Sequence, residues 1–286
     1  MLRFLAIGHV TRDSRPEGDV LGGSASYAAL TAARLGCDVG VLTAAGPDFE
    51  PEKELPGISV FVRRSAATTR FVNIYAEDGA RRQVVTSRAD DIDLEPLPDE
   101  WREPDALLLS PVAGELDGFS TASLGASSVG AVAQGWLREI DAGGDVSPRQ
   151  WDRAAHDLLG VHVVFLSDQD LPNADAGSRE LLRHVPLVAL TRGWRGLTLL
   201  TREGEYEVPS LPRTEVDPTG AGDVFSAAFL VRYHESGDAV EAAAFAACAA
   251  SCAVEGVGAT SLGDRAEVLS RLDLRQRLIE EGEWDE

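Results

Sequence analysis

EVDPTGAGDVFSAAFL, residues 215–230, runs from a strand-like entry through a small-residue turn and an aspartate into an apolar helix. Gly220, Ala221 and Gly222 let backbone amides approach an anion without an intervening side chain, and the helix start adds a favourable dipole. Asp223 falls in the first turn of that helix. An aspartate there either caps the helix or accepts a proton from a substrate hydroxyl. A bare GxGD fits a capped helix after a glycine turn equally well, so the decision lies with the sequence on either side.

Upstream, RFLAI (3–7) ends in Gly8 as a buried first strand feeding a loop, and SASYAALTAARL (24–35) follows Gly22 and Gly23 with Ala and Leu at helical spacing until Gly36. CDVGVLTA (37–44) is the next strand, and this β-loop-α-β opening predicts a parallel sheet. Residues 58–86 alternate apolar and polar positions, with EDGA (77–80) as a tight hairpin turn, and predict a small antiparallel patch. The α/β rhythm returns with strands ALLLS (106–110), VGAVA (129–133), VHVVFLS (161–167) and VPLVALT (185–191). GLTLLTREGEYEVP (196–209) reads as another hairpin. Two Ala-rich helices, 221–234 and 239–254, and a polar helical tail close the chain. The expectation is an α/β fold, doubly wound, with a mostly parallel sheet, helices on both faces and a lid-like antiparallel patch at about 58–86. One domain spanning 1–286 is expected.

The chain has 286 residues, 44% of them hydrophobic, enough to bury a large core. A net charge of -21 without a basic cluster argues against nucleic acid or an anionic membrane as partner. Of 26 basic residues only Lys53 is a lysine. ATP remains compatible, because Mg2+ and helix-start amides neutralise phosphates locally. Cys37, Cys248 and Cys252 lack metal-ligand spacing, and with no signal peptide or apolar span they predict a reduced, cytoplasmic protein. Five scattered histidines form no HExxH, and no GxSxG elbow is present.

In this setting DPTGAGD (217–223) resembles the D-T-x-G-A-G-D signature of the ribokinase-like (PfkB) carbohydrate kinase family, with Pro218 where many members have Thr. GHVTRD (8–13), LGGSASYAALTAARLG (21–36), TTRFVNIY (68–75), ALTRGWRG (189–196) and ASCAVEGVGAT (250–260) fall in the family's order. The resemblance implies a kinase in which Gly220, Ala221 and Gly222 hold the transferring phosphate and Asp223 is the base. It implies that Asp13 binds substrate hydroxyls, although as a lone loop aspartate it reads equally as a turn residue. Gly22 and Gly23 match the paired glycines that admit substrate and permit lid movement, or simply start a helix. Thr191, Arg192 and Gly193 match a nucleotide-side turn, with Thr219, Gly256 and Gly258 also on the nucleotide side. The cofactors implied are ATP and Mg2+.

Two departures matter. The family's N-x-x-E becomes Ser167-Asp168-Gln169-Asp170, which leaves Asp170 to meet the metal through water. Tyr27 replaces an asparagine common in ribokinases, which argues against ribose. The eight residues between Asp13 and Gly22 read as too few for lid strands. QGWLR (134–138) resembles a string of inositol-kinase-like members and makes Arg138 a substrate or phosphate ligand, or a strand end with a packed Trp136. A sugar or cyclitol kinase is the leading expectation. A nucleoside kinase and a non-catalytic nucleotide or sugar sensor are the alternatives, as a monomer or homodimer.

Overall fold

The computed structural model describes residues 1–15, 18–75 and 81–281. The chain begins with β1 (Arg3–Ile7), β2 (Thr11–Arg15) and β3 (Gly18–Gly22), then α1 (Ser24–Arg34) and β4 (Asp38–Ala45). A single turn, α2 (Pro51–Glu54), leads to β5 (Ser59–Arg64), β6 (Thr69–Tyr75) and β7 (Arg81–Ser87). The middle of the chain supplies β8 (Ala106–Leu109), β9 (Ser128–Val132), the short pair β10 (Arg138–Ile140) and β11 (Val146–Pro148), and α3 (Ala154–Asp157). β12 (Val163–Ser167), α4 (Ala174–Leu181), β13 (Leu187–Thr191), β14 (Leu197–Thr201) and β15 (Glu205–Val208) follow. Three long helices complete it: α5 (Ala221–Ser236), α6 (Ala239–Ala253) and α7 (Arg265–Glu281).

Among the described residues the main sheet has nine strands in the order β15-β14-β13-β12-β9-β8-β1-β4-β5. Strands β5 to β13 of that order run parallel, and β14 and β15 add an antiparallel hairpin at the edge. Strands buried on both faces must be apolar almost throughout, which is why RFLAI, ALLL and VVFL show no alternation. One face packs on α1, α5, α6 and α7, where Phe165, Phe225 and Phe229 meet edge to face or tilted. The other carries α3, α4 and loops that bury Trp101 and Trp136. Apolar all round, α6 is a buried helix, and its Cys248 and Cys252 are packed and unpaired.

Two readings change. Residues 59–64 are not part of the antiparallel patch: β5 pairs parallel with β4 and closes the main sheet. It is an edge strand covered in part on both faces, with Val60 and Val62 packed on one core cluster and Phe61, beside Trp101, on the other. The short segment after Asp13 does carry lid strands, because β2 and β3 need only five residues each, with Thr11 opposite Gly22 and Arg15 opposite Gly18. β2 then pairs parallel with β6, and β6 antiparallel with β7, to give a four-stranded lid sheet β3-β2-β6-β7. EDGA (77–80) lies outside the described residues, as do residues 282–286 of the acidic tail. No described helix is long and apolar enough to cross a membrane.

Candidate active site

The chain runs from β1 outward to β5, then returns to β8 beside β1 and continues the other way, so the strand order reverses at β1 and β8. In open α/β sheets such a reversal leaves a crevice beyond the carboxyl ends of the strands. A cleft of about 1180 Å³ occupies it, lined by Val132, Ser167 and Thr191 from the ends of β9, β12 and β13. The lid sheet contributes Asp13, Arg15, Phe71, Asn73 and Gln83 as the opposite wall. Alternation along the strands explains the choice: Thr11, Asp13 and Arg15 share one face of β2, as Phe71 and Asn73 share one face of β6. On the other face of β6, Ile74 is exposed.

The floor is built where two helix starts converge. Asp217, Pro218, Thr219 and Gly220 form a tight turn in which the Asp217 carboxylate accepts the Thr219 amide at 3.0 Å and the Ala221 amide donates to the Pro218 carbonyl at 3.2 Å. Gly220 then caps α5 with φ of 81°, a left-handed geometry that glycine adopts without steric cost. A Cβ there would stand 2.4 Å from the Tyr27 ring, so Gly220 is also required by contact. The amides of Gly220 and Gly222 are left open beside the cleft at a helix start, with that of Ala221 turned to the Pro218 carbonyl between them. Asp223 is the acidic residue of the first turn of α5. The Ser24 hydroxyl, on the first residue of α1, favours its charged form.

Burial pushes the Asp223 carboxyl up to about 6; Ser24 and Arg138 oppose this, while Asp170 and Asp13 add to it. Asp170 is raised as well, mainly by burial, against the Ser167 amide donating to it at 2.7 Å, the charge of Arg138 and the Gln134 side chain. Arg138 thus acts electrostatically on both carboxylates. Burial, with Asp13, Asp223 and Asp217 nearby, pushes the Tyr27 hydroxyl up to about 12 and keeps it neutral. On the lid, the Thr11 hydroxyl donates to Asp13 at 3.0 Å. A Cβ at Gly22 would lie 2.5 Å from that carboxylate, so Gly22 makes room for Asp13. Gly23 starts α1 with φ of 90° under the His9 carbonyl.

Of the residues singled out in the sequence, Asp13, Gly23, Tyr27, Arg138, Asp170, Thr191, Gly193 and the segment 219–223 line the cleft. Gly22, Arg192, Gly256 and Gly258 do not. Arg192 is turned away to Asp175 at 2.6 Å and to Thr198. Gly258 stands behind the wall, its amide donating to Asp217 at 3.3 Å, and Gly256 packs against Ser261. Residues that sequence reasoning left without a role are Ser24, Gln134, Asp217 and Arg15. Ser24 follows the glycine pair directly and Asp217 opens the signature, so both were signalled by position. The lid position of Arg15 appears only with the β2–β3 pairing.

Residues 18–265 match the family described as pfkB family carbohydrate kinase. The chain belongs to that family. It is a phosphotransferase that takes an alcohol group as acceptor. A cytidine kinase of Thermococcus kodakarensis is 28% identical over 261 residues, covering 82% of this chain and 89% of that protein. Among solved structures, a pyrophosphate-dependent kinase in the ribokinase family, complexed with a pyrophosphate analog and myo-inositol, superposes with a TM-score of 0.74. It is 21% identical and covers 93% of this chain and 99% of its own. Arabidopsis thaliana ribokinase, complexed with ribose and ATP, gives 0.73 at 21% identity, with 95% and 99% covered. These likenesses establish the ribokinase-like fold of this PfkB chain.

Proposed function

We propose that this kinase transfers the γ-phosphoryl group of ATP to a hydroxyl of a small sugar or cyclitol. The observation that carries the reading is the meeting of Asp223, the 220–222 helix-start turn and Asp13 in one cleft. Asp13, on the lid, orients the acceptor by accepting its hydroxyls. Asp223 takes the proton of the attacking hydroxyl. The amides of Gly220, Ala221 and Gly222 receive the charge on the transferring group, as phosphoryl transfer requires positioning and charge stabilisation above all. Thr191, Gly193 and Thr219 lie on the donor side, where Ala247, Ala250 and Val254 give the cleft an apolar lining suited to a base. Among the described residues no three or more His, Cys, Asp or Glu gather into a metal cage. Asp170, whose carboxylate accepts the Ser167 amide, would hold a Mg2+ through water, and the ion would supply charge neutralisation of the phosphates there.

The acceptor side favours a polyol, since Asp13, Asn73, Gln83 and Gln134 offer donors and acceptors on two walls. A nucleoside acceptor is the second reading, supported by the likeness to a cytidine kinase and by Phe71 on the lid wall. A panel of ribose, fructose, myo-inositol, adenosine, inosine and cytidine, read by ADP release, separates them. Turnover confined to the nucleosides would replace the first reading with the second; ATP binding without turnover on any acceptor would indicate a sensor.

The raised carboxyl of Asp223 sets a pH dependence. A base must be ionised, so kcat/KM rises by about tenfold per pH unit below the pKa and levels off above it. The expected break in the free enzyme is at about 6. A profile flat from pH 5 to pH 8 would remove Asp223 as the titrating base.

A further inference from the structure

Arg15 joins the lid to the phosphate-binding turn. It lies at the end of β2, on the cleft face with Asp13, and its Nη2 donates to Asp217 Oδ2 at 3.3 Å. Asp217 does not depend on that contact, because it also accepts the amides of Thr219 and Gly258. An exchange of Arg15 to another anion therefore leaves no buried acceptor unsatisfied. Of the other arginines on the cleft wall, Arg195 pairs with Asp168 and Arg213 with Glu255 at 3.2 Å, while the charge of Arg138 acts on Asp170 and Asp223. Asp13, Asp170, Asp217 and Asp223 surround the floor. An incoming polyphosphate there needs cationic charge from the lid side.

Resting on the kinase reading above, we infer that Arg15 is a catalytic arginine that leaves Asp217 for the transferring phosphoryl group when the lid sheet closes. The acceptor oxygen forms its bond to the γ-phosphorus while the bond from that phosphorus to the β-phosphate oxygen breaks. The electron pair leaves with ADP and the hydroxyl proton goes to Asp223. Arg15 donates hydrogen bonds to the non-bridging oxygens and stays protonated throughout. The guanidinium thus arrives only with the lid, so charge stabilisation becomes conditional on a bound acceptor.

The test uses full-length Arg15→Met and Arg15→Lys. Arg15→Met is expected to lower kcat by on the order of 100-fold, with the Kd of ADP within about threefold of wild type. With an acceptor that the wild type turns over present, aluminium fluoride, which mimics the phosphoryl group in flight, is expected to tighten ADP binding in the wild type and not in Arg15→Met. Arg15→Lys keeps the charge and is expected to fall between them, which guards against a folding defect in the first variant. A kcat for Arg15→Met within about threefold of wild type, or undiminished tightening by aluminium fluoride, would overturn the assignment. Failure of the kinase reading itself shows differently, as a wild type that binds no ADP.

Discussion

Asp223→Asn is expected to reduce kcat by on the order of 100-fold to 10,000-fold while the protein stays folded. The substitution keeps the shape of the side chain but removes the carboxylate proposed to take the proton of the attacking hydroxyl. Its stability effect has a definite sign. The folded-state pKa of about 6 is above that of a free aspartate, so between the two values the folded protein binds the proton more readily than the unfolded one. Stability contributed by that proton is present at low pH and is lost as pH rises through about 6. Asparagine, always neutral, avoids the loss, so at pH 7.5 the variant should melt at or above the wild-type temperature and the gap should narrow at pH 5. A kcat within about tenfold of wild type would dismiss Asp223 as the base.

What was legible in the sequence follows from how locally each feature is determined. The floor of the cleft was readable because Asp217 to Asp223 is a turn and a helix start, and small residues, proline and glycine act on their immediate neighbours. Buried parallel strands were readable because both of their faces are apolar. The lid was misjudged at both ends. β5 carries apolar residues on both faces, Val60 and Val62 on one and Phe61 on the other, a pattern that does not say whether its partner is parallel β4 or an antiparallel neighbour. β2 and β3 are five-residue polar strands, whose pairing depends on β6 more than fifty residues away. Long-range pairing also decided Arg15, and the backing position of Gly258, while Arg192 was drawn off by Asp175 on α4. Glycine spacing is informative about backbone freedom but silent about which wall a turn faces.

Gly220→Ala tests the anion turn without touching a charge. Two penalties coincide at this position. A methyl group at φ of 81° places an L-residue in left-handed geometry, which costs about 1–2 kcal/mol. The same methyl would meet the Tyr27 ring at 2.4 Å and 2.5 Å. Tyr27 is 5% exposed, and its hydroxyl already faces Gly258, so the ring has little room to retreat. Relief must come from the turn, which moves the 220–222 amides away from the phosphate. The expected result is a fall in kcat of about 100-fold or more, the scale of losing one anion-hole donor, with a lower melting temperature. Gly222→Ala is the matched control: it lies inside α5, its added methyl meets nothing within 4 Å, and exchange for alanine favours a helix by about 1 kcal/mol. Its melting temperature should hold or rise. Equal loss of stability in the two variants, or full activity in Gly220→Ala, would show that the geometry of Gly220 does not hold the anion site.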